Sequence, residues 1–219
     1  MNVISTLDGV TDLADDLGVL RDLERRLLVY KFAIEELMTK LRILSEEFDS
    51  VHQHDPIEHI SNRVKKPEGI LEKLRRKGFP LDLDSFGDWL DDVAGVRVVC
   101  PFVSDVYRVK EMLARQHDVE ILRTKDYIAQ PKPNGYRSLH LIVRIPVFLS
   151  DRVEHVKVEV QLRTIAMDFW ATLEHKLFYK YDDHPPADFV GELMSTAMIA
   201  AQLDDRMESL HRRIHRDDV

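Results

Sequence analysis

Val156-Lys157-Val158-Glu159-Val160-Gln161-Leu162-Arg163 alternates apolar and polar residues without a break, which is the period of a half-buried β-strand. Val156, Val158, Val160 and Leu162 are expected to face a core, and Lys157, Glu159, Gln161 and Arg163 to face away from it. An ordinary solvated strand face has the same pattern. What sets this one apart is its continuation through Thr164 into Ala166-Met167-Asp168-Phe169-Trp170-Ala171-Thr172-Leu173-Glu174-His175, an apolar-rich helix start with its own carboxylates. A carboxylate such as Glu159, held between cationic and amide neighbours on a rigid strand, has the chemistry to hold a metal or to take a proton.

The neighbouring segments supply the rest of a sheet. Leu139 to Ile145 alternates again, with Leu139, Leu141, Val143 and Ile145 inward and Ser138 and His140 on the other face. Val96 to Cys100 reads as a buried strand that stops at Pro101, and Val119 to Ile128 as a further strand. Helical spacing runs from about Leu17 to Asp49, where Leu20, Leu23, Leu27, Leu28, Phe32, Ile34, Leu37, Met38, Leu41 and Leu44 recur. His52 to Ile57 is a break marked by Pro56, and Ser61 is expected to begin a helix or a turn. Pro67 to Arg76 reads as a helix with Pro near its first turn, ended by Gly78-Phe79-Pro80. Phe86–Val93, Val103–His117 and Ile165–Tyr181 read as helices, and Pro131-Lys132-Pro133-Asn134-Gly135 as a loop. Pro185-Pro186 marks a boundary. The last helix, Ala187 to about His215, carries a seam of Val190, Leu193, Ala197, Ala200, Ala201, Leu203, Met207 and Leu210. This order predicts an α+β fold: a single mixed β-sheet flanked by helices, with extra helices at both ends. One domain is expected, with an N-terminal helix over about 17–50, a core over 51–185 and a C-terminal helix over 186–219.

The bulk numbers agree. A chain of 219 residues, 44% hydrophobic and 32% charged, supports one good core rather than two. No run of about 18 apolar residues exists to span a membrane, and the first residues lack the pattern of a signal peptide, so a cytoplasmic protein is expected. Cys100 is alone, which excludes an intramolecular disulfide and suggests a buried inert thiol. The net charge of −8 argues against broad, non-specific nucleic-acid binding. Yet Arg63, Lys65, Lys66, Lys73, Arg75, Arg76 and Lys77 face only Glu68 and Glu72 in the same stretch. A basic patch on an acidic protein suggests a small polyanion as ligand.

Four clusters carry candidate chemistry. The basic stretch from His59 to Leu74 offers charge-assisted donors to phosphate, although basic helices are commonly just solvated faces. Asp91-Asp92-Val93-Ala94-Gly95-Val96-Arg97 can set a metal-binding carboxylate beside a guanidinium, or can simply end a helix at Gly95 with a surface ion pair. The run from Lys125 to His140 joins cations, Tyr136 and His140. A tyrosine ring offers a base a surface to stack on, whereas a lone histidine is more often structural. The fourth cluster is the opening strand with its helix.

These four clusters in this order resemble the RelA/SpoT-type alarmone synthetases, in particular the small stand-alone synthetases of guanosine tetra- and pentaphosphate. The resemblance runs from about His59 to Tyr181. It rests on Pro-Lys-Pro-Asn-Gly-Tyr-Arg-Ser-Leu-His and on Glu-Val-Gln-Leu-Arg-Thr followed by Phe-Trp-Ala-Thr-Leu-Glu-His. It implies a nucleotidyltransferase-like synthetase fold and transfer of the β,γ-pyrophosphate of ATP to the ribose 3′-hydroxyl of GDP or GTP, releasing AMP. It further implies that Asp92 and Glu159 hold Mg²⁺, with Glu159 also the base for the 3′-hydroxyl. Arg63 and Arg97 would sandwich the adenine, and Lys65 and Lys73 would bind ATP phosphates. Tyr136 would stack on the guanine, with His140, Gln161 and Arg163 lining the acceptor pocket. Lys125, Lys132 and Arg137 are candidates for acceptor phosphates, and Asp168 and Glu174 for the guanine edge.

The same resemblance suggests a homo-oligomer, with a tetramer favoured, built on the apolar seams of the terminal helices, which otherwise simply pack on their own sheet. The alarmone or an RNA enters as a candidate effector that no residue here specifies. His54-Asp55 stands in a short loop and is not expected to form the hydrolase site of longer family members, so synthesis without degradation is the expectation. Two rival readings exist. One is a nucleotidyl-transferring enzyme on a similar sheet, against which stands the lack of a Gly-Ser before Asp91-Asp92. The other is an inactive RNA-binding module, against which stand Asp92 and Glu159 together.

Overall fold

In the computed structural model, residues 5–80, 82, 86–178 and 189–214 are described, with side chains from residue 21 onward. Their order is α1 (Ser5–His52), β1 (His59–Val64), α2 (Pro67–Lys77), α3 (Phe86–Trp89), β2 (Ala94–Cys100), α4 (Val103–Ala114), β3 (Glu120–Asp126), β4 (Leu139–Phe148), β5 (Val153–Thr164), α5 (Ile165–Phe178) and α6 (Phe189–Ile214). The five strands form one sheet in the order β1-β2-β5-β4-β3. β2 and β5 run parallel and the other pairs antiparallel, so the sheet is mixed as expected.

The strand that opened the sequence reading is the centre of this sheet. Val158, Val160 and Leu162 are fully buried, as are Leu139, Leu141 and Val143 beside them on β4. They pack against Ala33, Ile34, Leu37 and Leu41 of α1 and Val106, Val109 and Leu113 of α4. Alternation therefore sends one face of β5 into a core covered by two helices and turns Glu159, Gln161 and Arg163 to the other face. A second apolar cluster joins Leu23 and Leu27 of α1 to Ile70 and Leu74 of α2 and to Phe86, Leu90 and Val93, which fixes the approach to β2.

Four expectations change. His59–Val64 is a strand, with no helix or turn at Ser61: it pairs antiparallel with β2 at the sheet edge, where a strand needs few apolar residues. The helix expected over Phe86–Val93 is a single turn, because Leu90–Val93 straightens to lead into β2. On α1, Leu28 and Phe32 lie outside the buried stripe and are exposed. On α6 the expected seam splits. Leu193 and Ala197 are buried, while Val190, Leu203, Met207 and Leu210 are exposed, because the line facing the protein continues instead through Asp204. The ends expected at Tyr181 and His215 and the Pro185-Pro186 boundary lie outside the described residues. α2 starts with Pro67 and ends with Gly78 in the left-handed region (φ 69°), where Gly78 and Phe79 amides close back onto the last carbonyls.

Candidate active site

Register across the sheet gathers the polar residues into two rows. Ser61, Arg97, Gln161, His140 and Lys125 align across β1-β2-β5-β4-β3, and Arg63, Gly95, Glu159, Ile142 and Arg123 form the next row. Glu159 thus stands mid-sheet, with arginines from β1 and β2 on one side and His140 on the other. The Arg63 side chain crosses β2 over Gly95, where a Cβ would make only an ordinary contact, 3.7 Å from Arg63 Cγ.

Two adjoining clefts share Glu159. One, of about 210 Å³, is lined by Ser61, Asn62, Arg63, Gly95, Arg97 and Gln161. The other, of about 160 Å³, is lined by Lys73, Lys77, Trp89, Asp91, Asp92, Lys125 and His140. A larger apolar groove of about 900 Å³ runs between α5 and α6 and contains none of these groups. Of the residues singled out in the sequence, Arg63, Lys73, Asp92, Arg97, Lys125, His140, Glu159 and Gln161 line the two polar clefts and not the groove.

Asp92 sits on the segment entering β2. Its Oδ2 accepts Lys65 Nζ at 2.7 Å and Lys73 Nζ at 2.5 Å. Burial pushes this carboxyl up, but the two ammonium groups outweigh burial and hold it down to about 2. Burial also lowers Lys65, and its bond to Asp92 does not fully reverse the effect. Asp92 Oδ1 is buried with no hydrogen-bond partner. A buried ionised oxygen without a donor is a ready ligand for a cation.

A connected network organises the other half. Glu159 Oε1 lies 3.2 Å from His140 Nδ1, and Glu159 Oε2 accepts Gln161 Nε2 at 2.9 Å. Burial raises the Glu159 carboxyl and the His140 and Gln161 contacts more than offset it, so it stays below its ordinary value. His140 Nε2 lies 2.8 Å from the Tyr136 hydroxyl, whose oxygen accepts Arg163 Nη2 at 2.7 Å. Arg163 Nη1 donates to Asp168 Oδ1 at 2.9 Å, and Arg97 Nη1 lies 3.3 Å from that same oxygen. Glu159, Arg163 and Arg97 are thereby joined through one chain of contacts. Over the Tyr136 ring sit Lys132 Nζ at 4.7 Å and Arg163 Cζ at 5.2 Å, both at cation–π distance.

Of the residues singled out in the sequence, Arg63, Lys65, Lys73, Asp92, Arg97, Lys125, Lys132, Tyr136, His140, Glu159, Gln161 and Arg163 converge on this face. Arg137 does not: its guanidinium donates to the Ile128 carbonyl at 3.0 Å and acts on Asp204 and Tyr107, away from the clefts. Asp168 and Glu174 are engaged by protein donors, Asp168 by Arg163 and Glu174 by Asn134 Nδ2 at 3.0 Å. The sequence reading missed Asn62, Lys77 and Trp89 as lining groups. It also missed the rim pair in which Arg123 Nη1 donates to Asp91 Oδ2 at 2.7 Å. These residues come from β1, α2, α3, the segment before β2, and β3, and only the fold brings them together.

Comparison with known proteins agrees with this geometry. A family model described as a region found in RelA/SpoT proteins matches residues 62–184. The GTP pyrophosphokinase YwaC of Bacillus subtilis (strain 168) is 48% identical over 206 residues, covering 94% of this chain and 98% of the relative. The crystal structure of small alarmone synthetase 2 from Bacillus subtilis superposes with a TM-score of 0.80 at 48% identity, covering 88% of this chain and 99% of that one. That of small alarmone synthetase 1 from the same organism, bound to its product pppGpp, gives 0.80 at 41% identity over 87% and 97%. By its sequence, its sheet and its match to more than half of the chain, this protein belongs to the RelA/SpoT family.

Proposed function

We propose that this chain makes (p)ppGpp, transferring the β,γ-pyrophosphate of ATP to the ribose 3′-hydroxyl of GDP or GTP and releasing AMP. The observation that carries the reading is the placement of Asp92 and Glu159 in one cleft, with an arginine pair on one side and the Tyr136 ring on the other. The names of the relatives, and the product bound to one of them, support it.

Arg63 and Arg97 flatten against the adenine, and Lys65 and Lys73 turn from Asp92 to the ATP phosphates. Tyr136 stacks on the guanine, while His140, Gln161 and Arg163 line the acceptor and Lys125 and Lys132 meet its phosphates. Glu159, kept ionised by His140 and Gln161, takes the 3′-hydroxyl proton. The 3′-oxygen bonds to the β-phosphorus as the bond from the bridging oxygen to that phosphorus breaks, and AMP leaves with that oxygen.

The donor set fits Mg²⁺. Among the described residues no group of three or more His, Cys, Asp or Glu could hold a metal ion. Two carboxylates, one with a partnerless oxygen, match a cation that takes its remaining ligands from substrate phosphates and water. Asp92 and Glu159 would hold Mg²⁺, which would supply charge neutralisation at the transferring phosphates.

α5 and α6 expose Phe169, Met198, Ile199, Leu203 and Ile214, and Phe169, Ile199 and Leu203 line the apolar groove between the two helices, the kind of surface that marks an interaction site. Self-association through them, with a tetramer favoured, belongs to the same reading, and a monomer mass at micromolar concentration contradicts it. None of the helices among the described residues is long and apolar enough to cross a membrane. Work in the cytoplasm, where both nucleotides are found, completes the proposal. ATP labelled on its γ-phosphate, incubated with GDP, Mg²⁺ and the protein, tests it. Label in a guanosine species more charged than GDP, with matching AMP, is expected; label confined to inorganic phosphate or pyrophosphate overturns it.

A further inference from the structure

The loop that carries Tyr136 is built against α6, a helix outside the matched family region of residues 62–184. Within the loop, Gly135 N donates to the Lys132 carbonyl at 2.8 Å, Lys132 N to the Tyr136 carbonyl at 3.1 Å, and Tyr136 N to Asn134 Oδ1 at 3.1 Å. These bonds set the loop's shape but not its place. Its place comes from the Asn134–Glu174 bond to α5 and from Gly135, which has φ 89° and no Cβ: one added there would lie 2.5 Å from Ala197 Cβ and 3.3 Å from Met194 Cα. The loop backbone therefore lies directly on the backbone of α6. Tyr136 packs against the cluster of Trp170, Ala171, Leu193 and Ala197. Trp170 Nε1 donates to the Leu193 carbonyl at 3.2 Å and to Thr196 Oγ1 at 3.0 Å, tying α5 to the same turn of α6.

We infer that α6 is part of the acceptor site: Ala197 and the α6 backbone at Met194 are the seat that sets the Gly135–Tyr136 loop. Ala197 is a positioning residue that tunes acceptor affinity without touching a nucleotide. The inference rests on the reading that Tyr136 stacks on guanine. Its physical basis is that the ring meets polar groups at His140, Arg163 and Lys132 and has one apolar backing, which belongs to α5 and α6. A shift of about 1 Å in that backing tilts the stacking surface, and displacements of that size have large effects on bound geometry. Among the described residues, the glycines of the ATP half, Gly69 on α2 and Gly95 on β2, meet Lys65, Arg63 and Glu159 and not α6.

Ala197→Leu tests this by adding bulk where Gly135 sits. Hydrogen exchange across residues 132–137 is expected to speed up while β4 and β5 stay protected. GDP is expected to bind about tenfold more weakly, a non-hydrolysable ATP analogue within about twofold of wild type, and kcat at saturating GDP to change little. If Ala197→Leu loses its fold by circular dichroism, Ala197→Gly removes the contact without adding bulk, and a smaller change in the same direction is expected. Unchanged loop exchange, or equal weakening of GDP and the ATP analogue, overturns the inference. Failure of the underlying reading shows separately, as a wild-type protein that binds no GDP.

Discussion

His140 Nδ1 lies 3.2 Å from Glu159 Oε1 while the other ring nitrogen lies 2.8 Å from the Tyr136 hydroxyl. A neutral imidazole satisfies both contacts in one tautomer: Nδ1–H donates to the carboxylate and Nε2 accepts from the phenol. One side chain thus links the proposed base to the stacking ring and helps hold Glu159 below its ordinary pKa. Removing the donor lets burial dominate and raises Glu159. His140→Ala is therefore expected to move the acid limb of the pH–kcat profile to higher pH, since the base must be ionised to work. A limb that stays in place or moves down contradicts the link.

On the proposed reading, Tyr136→Ala removes the ring on which the guanine stacks, while Arg63 and Arg97, assigned to the adenine, make no direct hydrogen bond to it and stay in place. The acceptor is expected to bind more weakly by about 1–3 kcal/mol, the range for one base on one ring, with ATP affinity near wild type. Titration of each nucleotide separately decides it, and equal losses for both would mean that the ring serves neither base specifically.

Asp92 carries a pH-dependent part of the stability. Its folded pKa is depressed to about 2, so its contribution is complete above the unfolded value and is lost as pH falls through the folded one. The lowered Lys65 offsets part of it. Asp92→Asn is expected to unfold more easily than wild type by about 1–2 kcal/mol at pH 7 without added metal. The gap should shrink between about pH 4 and pH 2, and urea titrations across that range measure it.

Asp204 works in the opposite sense. It is buried on α6 and accepts Thr164 Oγ1 at 2.7 Å, and burial raises it to about 6 despite that bond. A raised carboxyl favours the folded state when protonated, and this advantage is lost as pH rises through the folded value. Asp204→Asn, which keeps an acceptor for Thr164, is expected to be more stable than wild type by about 2 kcal/mol at pH 8 and no more stable near pH 4. Thermal unfolding at the two pH values checks the sign.

What the sequence disclosed follows from period and composition. β4 and β5 were legible because one face is fully buried, so every second residue is apolar. β1 was not, because an edge strand with one well-solvated side tolerates Ser61, Asn62 and Arg63 in succession. The site was legible where a local motif carries it, as at Pro-Asn-Gly-Tyr and Glu-Val-Gln-Leu-Arg. Arg137 was misplaced because adjacent residues in an extended segment point to opposite sides, and Tyr136 takes the side facing the cleft. The role of Ala197 left no trace in the sequence, since a small residue in a helical seam looks the same whether it backs a strand or a substrate loop.

Glu159→Gln tests the central claim most directly. The amide keeps the size of the carboxylate and a bond to its neighbours but cannot take a proton. AMP release from ATP and GDP, measured beside the equilibrium binding of each nucleotide, is expected to fall at least about a thousandfold with both affinities within a few-fold of wild type. Turnover that survives the change would remove Glu159 from the reacting centre and the account with it.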